Sequence, residues 1–176
     1  MSFTEHLGSH SGRPQALRLA VAEKSVLVRM DSVQTFRGVD AETVFGMVES
    51  GALRWVWDFN NGEGKIRQLR FLALEVFTPE IAQRLTLDQV LKIILGESRE
   101  SFRGAEIAHR LRLTHPSIHH FYHDGHLGGT LAGKTLHLSR LTLETFLRAR
   151  LVREPEILTV ALAVNSQSET RNPKFV

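Results

Sequence analysis

Apolar positions along this chain switch between a helical and a strand period, and the switches fall at residues that cap helices or close turns. From Pro14, PQALRLAVAEK carries Leu17 and Val21 one turn apart behind a first-turn proline, which predicts a short helix. Residues 25–29, SVLVR, predict a strand. Asp31 then predicts the N-cap of a helix that bears Val33 and Phe36 and is stopped by Gly38. Asp40 predicts the cap of the next helix, AETVFGMVES, whose Val44, Met47 and Val48 form an i, i+3, i+4 stripe and whose left-handed end falls on Gly51. In residues 53–59, LRWVWDF, the apolar Leu53, Trp55, Trp57 and Phe59 alternate with Arg54, Val56 and Asp58, the pattern of a half-buried strand. Asn60-Asn61-Gly62-Glu63-Gly64 predicts a hairpin turn and KIRQLRF, residues 65–71, the return strand.

Beyond this point the order recurs. Thr78 starts TPEIAQRL, and Thr86 caps LDQVLKIIL, which ends at Gly96. A helix is expected over 105–111, and Thr114 caps another with Pro116 in its opening turn and Gly125 at its end. Leu127 begins a ribbon that turns near Ala132-Gly133-Lys134 and returns through TLHLSRL, followed by the helical LETFLRARL. An offset of 74 residues places Val28 on Phe102, Val33 on Ile107, Val39 on Leu113, Val44 on Ile118, Val48 on Tyr122, Gly51 on Gly125 and Leu53 on Leu127. The return strands match at an offset of 70, Arg70 on Arg140 and Phe71 on Leu141, so the second ribbon is expected to be about four residues shorter. The expected organisation is a flexible leader (1–13), one unit over 14–85, a second over 86–153, and a C-terminal strand and tail (154–176) in which PEILTVALAVN has the continuous apolar run of a buried strand.

Composition narrows the classes. Apolar residues at 42% and charged residues at 23% sit near the globular average, which argues against wholesale disorder and against a membrane protein. No apolar run reaches the length of a spanning helix, and the first residues lack a basic segment leading into an apolar one, so a cytoplasmic location is expected. The absence of cysteine excludes disulfides, thiolate zinc sites and cysteine nucleophiles. A net charge of +3 steers polyanions only weakly, so affinity for nucleic acid has to come from local clusters of Arg and Lys.

The second unit, AEIAHRLRLTHPSIHHFYHDGHLGGTLAGKTLHLSRLTLETFL, resembles the DNA-binding module of excisionases and MerR-type regulators. The likeness lies in Glu106-Ile107-Ala108, the Leu113-Thr114 turn, the helix from Ser117 to His123, the exit Asp124-Gly125-His126-Leu127 and the closing segment from Ser139 to Phe146. The first unit is similar through Val39-Asp40, Thr43 to Glu49, Ser50-Gly51-Ala52-Leu53 and Leu69 to Phe77. The resemblance implies an α+β, mainly helical fold of two tandem winged helix-turn-helix domains, with the second helix of each in the major groove of double-stranded DNA and the wing on phosphate or the minor groove. Two linked modules would then span adjacent half-sites, one chain acting like a dimer.

Taken by themselves, the residues assign different tasks to the two units. Asp40, Glu42 and Glu49 make the first recognition helix acidic, which opposes contact with phosphate. The second helix offers Ser117, His119, His120 and His123 for base contacts, while Arg54, Lys65, Arg67, Arg70, Arg110, Arg112, Lys134 and Arg140 supply cations around the wings and first helices. His115, His119 and His123 share one helix face at i, i+4, i+8, yet the Glu-x-x-His pattern that would add a third ligand is missing, so no metal is expected. Trp55, Trp57 and Phe59 are expected to pack onto their own helices rather than to stack on bases. With no nucleophile elbow, zinc-protease motif or paired-carboxylate segment, neither an enzyme nor a cofactor is expected. The function expected is a transcriptional regulator or an architectural factor of recombination or partition. The alternative is a duplicated winged-helix scaffold that binds a protein partner or a second copy of itself without DNA.

Overall fold

The computed structural model describes residues 26–60 and 67–153; the helix expected at 14–24, the turn at 61–64, Lys65 and the C-terminal strand at 155–165 lie outside them. The first series of elements is β1 (Leu27–Arg29), α1 (Met30–Arg37), α2 (Ala41–Glu49), β2 (Val56–Asp58), β3 (Leu69–Leu72) and α3 (Ala73–Phe77). Next, α4 (Pro79–Ala82) and α5 (Leu87–Leu95) lead to β4 (Ser101–Arg103), α6 (Gly104–Arg110), α7 (His115–His123), β5 (Thr130–Ala132), β6 (Thr135–Ser139) and α8 (Arg140–Arg150). Each series makes one antiparallel sheet, in the orders β1-β3-β2 and β4-β6-β5, so the chain is α+β with two small three-stranded sheets.

Local chemistry explains where the helices begin. Asp40 accepts the amide of Thr43 at 2.8 Å, Thr114 that of Ser117 at 3.3 Å, and Thr86 forms a reciprocal capping box with Gln89. Gly51 and Gly125 follow α2 and α7 with φ of 78° and 75°, a region in which a Cβ is strained. At α1 the expectation was off by two residues. The chain passes from β1 straight into the helix, so Arg29 holds the N-cap position and Asp31 lies in the first turn, accepting the amide of Ser32 at 2.8 Å. The segment TPEIAQRL is helical only over Pro79–Ala82, and the second ribbon starts at Thr130 rather than Leu127.

Strand pairing also corrects the alignment of the return strands. Leu27 and Ser101, 74 apart, pair with Leu72 and Ser139, which are 67 apart, so the span from first strand to return strand is seven residues shorter in the second series. Leu69 and Phe71 therefore correspond to Leu136 and Leu138, and all four are buried. The offset of 70 had matched arginine to arginine; the pleat instead matches inward side chain to inward side chain.

Two cores result. The smaller gathers Val28, Val33, Val44, Val48, Val56 and Phe71 within the first series. The larger combines Ile94, Phe102, Ile118, Phe121 and Phe146 with Leu27, Trp55, Trp57, Phe59 and Leu72, and so crosses the boundary expected at residue 85. Alternation along the first sheet sends Val28, Phe71 and Val56 to one core and Leu27, Leu72 and Trp57 to the other, so both faces pack against a core over these residues. The half-buried strand expected at 53–59 is thus covered on both sides, and its aromatics pack on the second series rather than on their own helices. Trp57 Nε1 donates to the Leu147 carbonyl at 3.0 Å and Trp55 Nε1 to that of Ala82 at 3.1 Å. Beyond β2, the Val152 amide donates to the Val56 carbonyl at 2.9 Å and Leu151 bridges Trp57, closing the sheet edge. Glu75, 2% exposed, fixes the approach to this strand by accepting the amides of Arg54 and Trp55 at 2.8 and 2.9 Å; burial raises its pKa against those two bonds.

Candidate nucleic-acid interface

In the second series, the turn between α6 and α7 places Leu111 and Leu113 in the core with Arg112 between them at φ 55°. A non-glycine residue in that region is uncommon and costs about 1 kcal/mol or more. Arg70 of β3 reaches across and donates Nε and Nη2 to the Arg112 carbonyl at 3.1 and 2.9 Å, which braces the turn that sets the direction of α7.

Ile118 and Phe121 anchor α7, and its other sides carry the polar candidates. His115, His120 and His123 are exposed, while Ser117 is half-buried with its hydroxyl 2.7 Å from that of the Thr114 cap. His119 lies between His115 and His123, ring centroids 4.5 and 6.3 Å away. Its Nε2 is shielded and lacks a hydrogen-bond partner. Burial first, then the neighbouring His115 and His123, holds its pKa below the usual imidazole value. Among the described residues no group of three or more His, Asp or Glu is placed to hold a metal ion.

After α7 the hairpin β5–β6 projects. Thr130, Leu131 and Ala132 are all exposed, as is Lys134 in its turn. Gly129 lets the hairpin leave the core: a Cβ there would stand 2.8 Å from the His137 carbonyl oxygen. The face formed by α7 and this ribbon is polar, carries hydrogen-bond donors and acceptors, and has one cation at its tip.

The remaining candidate cations are placed differently. Arg54 donates to the Gln83 carbonyl at 3.0 Å and lies 5.4 Å over the Trp55 ring. Arg70, half-buried, also donates Nη1 to the Leu69 carbonyl at 2.9 Å. Arg110 donates to the Ile94 carbonyl at 3.2 Å and pairs with Glu106, and Arg140 pairs with Glu144 while donating to the carbonyls of Gly96 and Arg99 at 2.7 and 3.1 Å. These four guanidinium groups join elements of the fold. Arg67 is exposed beside Arg29, far along the chain from α7, and Lys65 is outside the described residues. The structure therefore brings Ser117, His119, His120 and His123 together on one helix ahead of the ribbon that bears Lys134, while Arg54, Arg70, Arg110 and Arg140 are engaged by carbonyls and carboxylates of the fold.

The structural tasks of two further residues are not legible in the sequence pattern. Glu75 sits in an apolar segment where a carboxylate signals an internal hydrogen-bonding task. Arg150 lies over Phe121 and Phe146 at 4.7 and 5.4 Å and donates to the Asn60 carbonyl, linking the two series. No helix among the described residues is long and apolar enough to cross a membrane. No protein-family model matches the chain, and no match is found among curated proteins or solved structures.

Proposed function

We propose that this chain is a cytoplasmic double-stranded-DNA-binding protein made of two winged helix-turn-helix units, in which the second unit meets the duplex and the first holds it in place. One contrast carries the reading: β5 is exposed at all three of its residues and follows a polar helix, whereas the matching strand β2 is buried between two cores. In this arrangement α7 enters the major groove, where His120 and His123 offer imidazole nitrogens to base edges, and Lys134 on the wing approaches phosphate. With β2 enclosed between two cores and the helix α2 bearing exposed Glu42 and Glu49, the chain covers one half-site rather than two. Such a protein acts as a transcriptional regulator or as an architectural factor, and the reading includes no catalytic step.

The exposed acidic face of α2 favours a second task for the first unit, docking of a protein partner. Gel-shift titration of a random duplex at two salt concentrations tests the main reading. Binding that weakens steeply with salt, and weakens further in Lys134→Glu, is expected because counterions are released only when phosphates are neutralised. Salt-independent or absent binding would leave protein docking as the function.

A further inference from the structure

Where β1 ends and β3 begins, an open cleft of about 400 Å³ is lined by Arg29, Asp31, Gln34, Arg67, Gln68 and Arg70. Three guanidinium groups thus face a single carboxylate. Arg29 and Arg70 stand directly opposite each other across the antiparallel pair, an arrangement that like charges disfavour. Asp31 offsets only part of it, one carboxylate among three cations, and its Oδ1 also accepts the amide and hydroxyl of Ser32 at 2.8 and 3.4 Å. Arg29 and Arg67 are exposed and take part in none of the ion pairs among the described residues. Arg70 uses three of its N–H groups on the carbonyls of Arg112 and Leu69, and a guanidinium has five.

A tetrahedral oxyanion carrying two negative charges fits this lining. It would balance the excess of two positive charges, separate Arg29 from Arg70, and accept forked N–H pairs from planar guanidinium groups, while Gln34 and Gln68 supply neutral donors at the rim. Burial, and after it the charge of Arg29, already lowers the proton affinity of Arg70, a tension that an anion would relieve.

We propose that this cleft is a binding site for a phosphate oxyanion, supplied either by a free phosphorylated small molecule or by the backbone of bound DNA. Because Arg70 also holds the Arg112 carbonyl ahead of α7, the occupant shares one side chain with the entry to the recognition helix. The site stands without any role of α7 in DNA binding.

The test uses the full chain and pyrophosphate as probe, with ionic strength fixed by chloride and amide shifts followed by NMR. Saturable shifts centred on Arg29, Asp31 and Arg67 to Arg70 are expected. The Arg29→Gln/Arg67→Gln variant, whose two sites are exposed and whose folding is checked by its thermal midpoint, should bind at least about tenfold more weakly. Lys92→Gln, a remote exposed change, should bind as the parent does. Absence of saturation in the parent, or undiminished affinity in the double variant, overturns the proposal. Duplex titration of the same double variant then separates the sources: a salt slope reduced by about 1.8, the share of two phosphates, identifies the DNA backbone, and an unchanged slope identifies a free ligand. A chain that binds pyrophosphate but no duplex would retire the DNA reading and keep this site.

Discussion

The hairpin β2–β3 and the hairpin β5–β6 occupy the same place in two series of one topology, yet they have opposite surroundings. Trp57 on the first is fully buried and hydrogen-bonded to α8, and the strand's outer edge is closed by Leu151 and Val152. Leu131 on the second is 42% exposed, and β5 pairs with β6 alone. A sheet with both faces in cores is a structural member, and the open ribbon beside a polar helix is, in the proposed reading, the surface that meets a partner. Shared topology therefore does not entail shared surroundings; what covers each ribbon differs.

Four measurements break or sharpen this contrast. The largest effect is expected from Trp57→Ala, which opens a cavity between the two series and should cost about 3–5 kcal/mol in urea unfolding, against under about 0.5 kcal/mol for Leu131→Ala. Similar small losses at both positions would remove the distinction between buried and open ribbon. Next comes Glu75→Ala, which strands the amides of Arg54 and Trp55 and should cost about 2–3 kcal/mol. Its pH behaviour has a definite sign. Burial raises the folded-state pKa of Glu75, so the folded chain holds this proton more tightly than the unfolded one, and the stabilisation present in acid is lost as pH rises through the raised value. Glu75→Gln should lack that decline in a pH series of melts.

These residues also mark what the sequence could and could not disclose. Caps at Asp40, Thr86 and Thr114 and the ends at Gly51 and Gly125 were legible because each acts within a few residues of itself. The alternation of Trp55, Trp57 and Phe59 disclosed a strand but not its cover, since period-two patterning says which side chains share a face and nothing about what lies on it. Val56, apolar between two tryptophans, was the available sign of burial on both faces. Cationic residues misled for a related reason. Composition cannot distinguish a guanidinium in solvent from one bonded to a distant carbonyl, although the place of Arg70 between buried Leu69 and Phe71 pointed to the latter. The candidate face on α7 was legible as a run of polar residues between Thr114 and Gly125, whereas the engagement of Arg54, Arg70 and Arg140 by the fold depends on contacts distant in sequence.

Two smaller effects concern the open side. Duplex affinity should rise several-fold as pH falls from about 8 to 6, because a protonated imidazole adds charge to α7; the pKa of His119 is lowered by burial and by its neighbours. The His119→Ala/His120→Ala variant should flatten the profile, and a flat profile in the parent would remove the histidines from the contact. Lys134→Gln should lower the salt slope of binding by about 0.9, the share of one phosphate.

The most direct test is an amide-exchange footprint of the intact chain with a random duplex. Protection is predicted across α7 and residues 129–134, with α2 and β2 unchanged from the free protein. Protection of α2, or none on α7, would contradict the assignment of the open ribbon to DNA and the closed one to the fold.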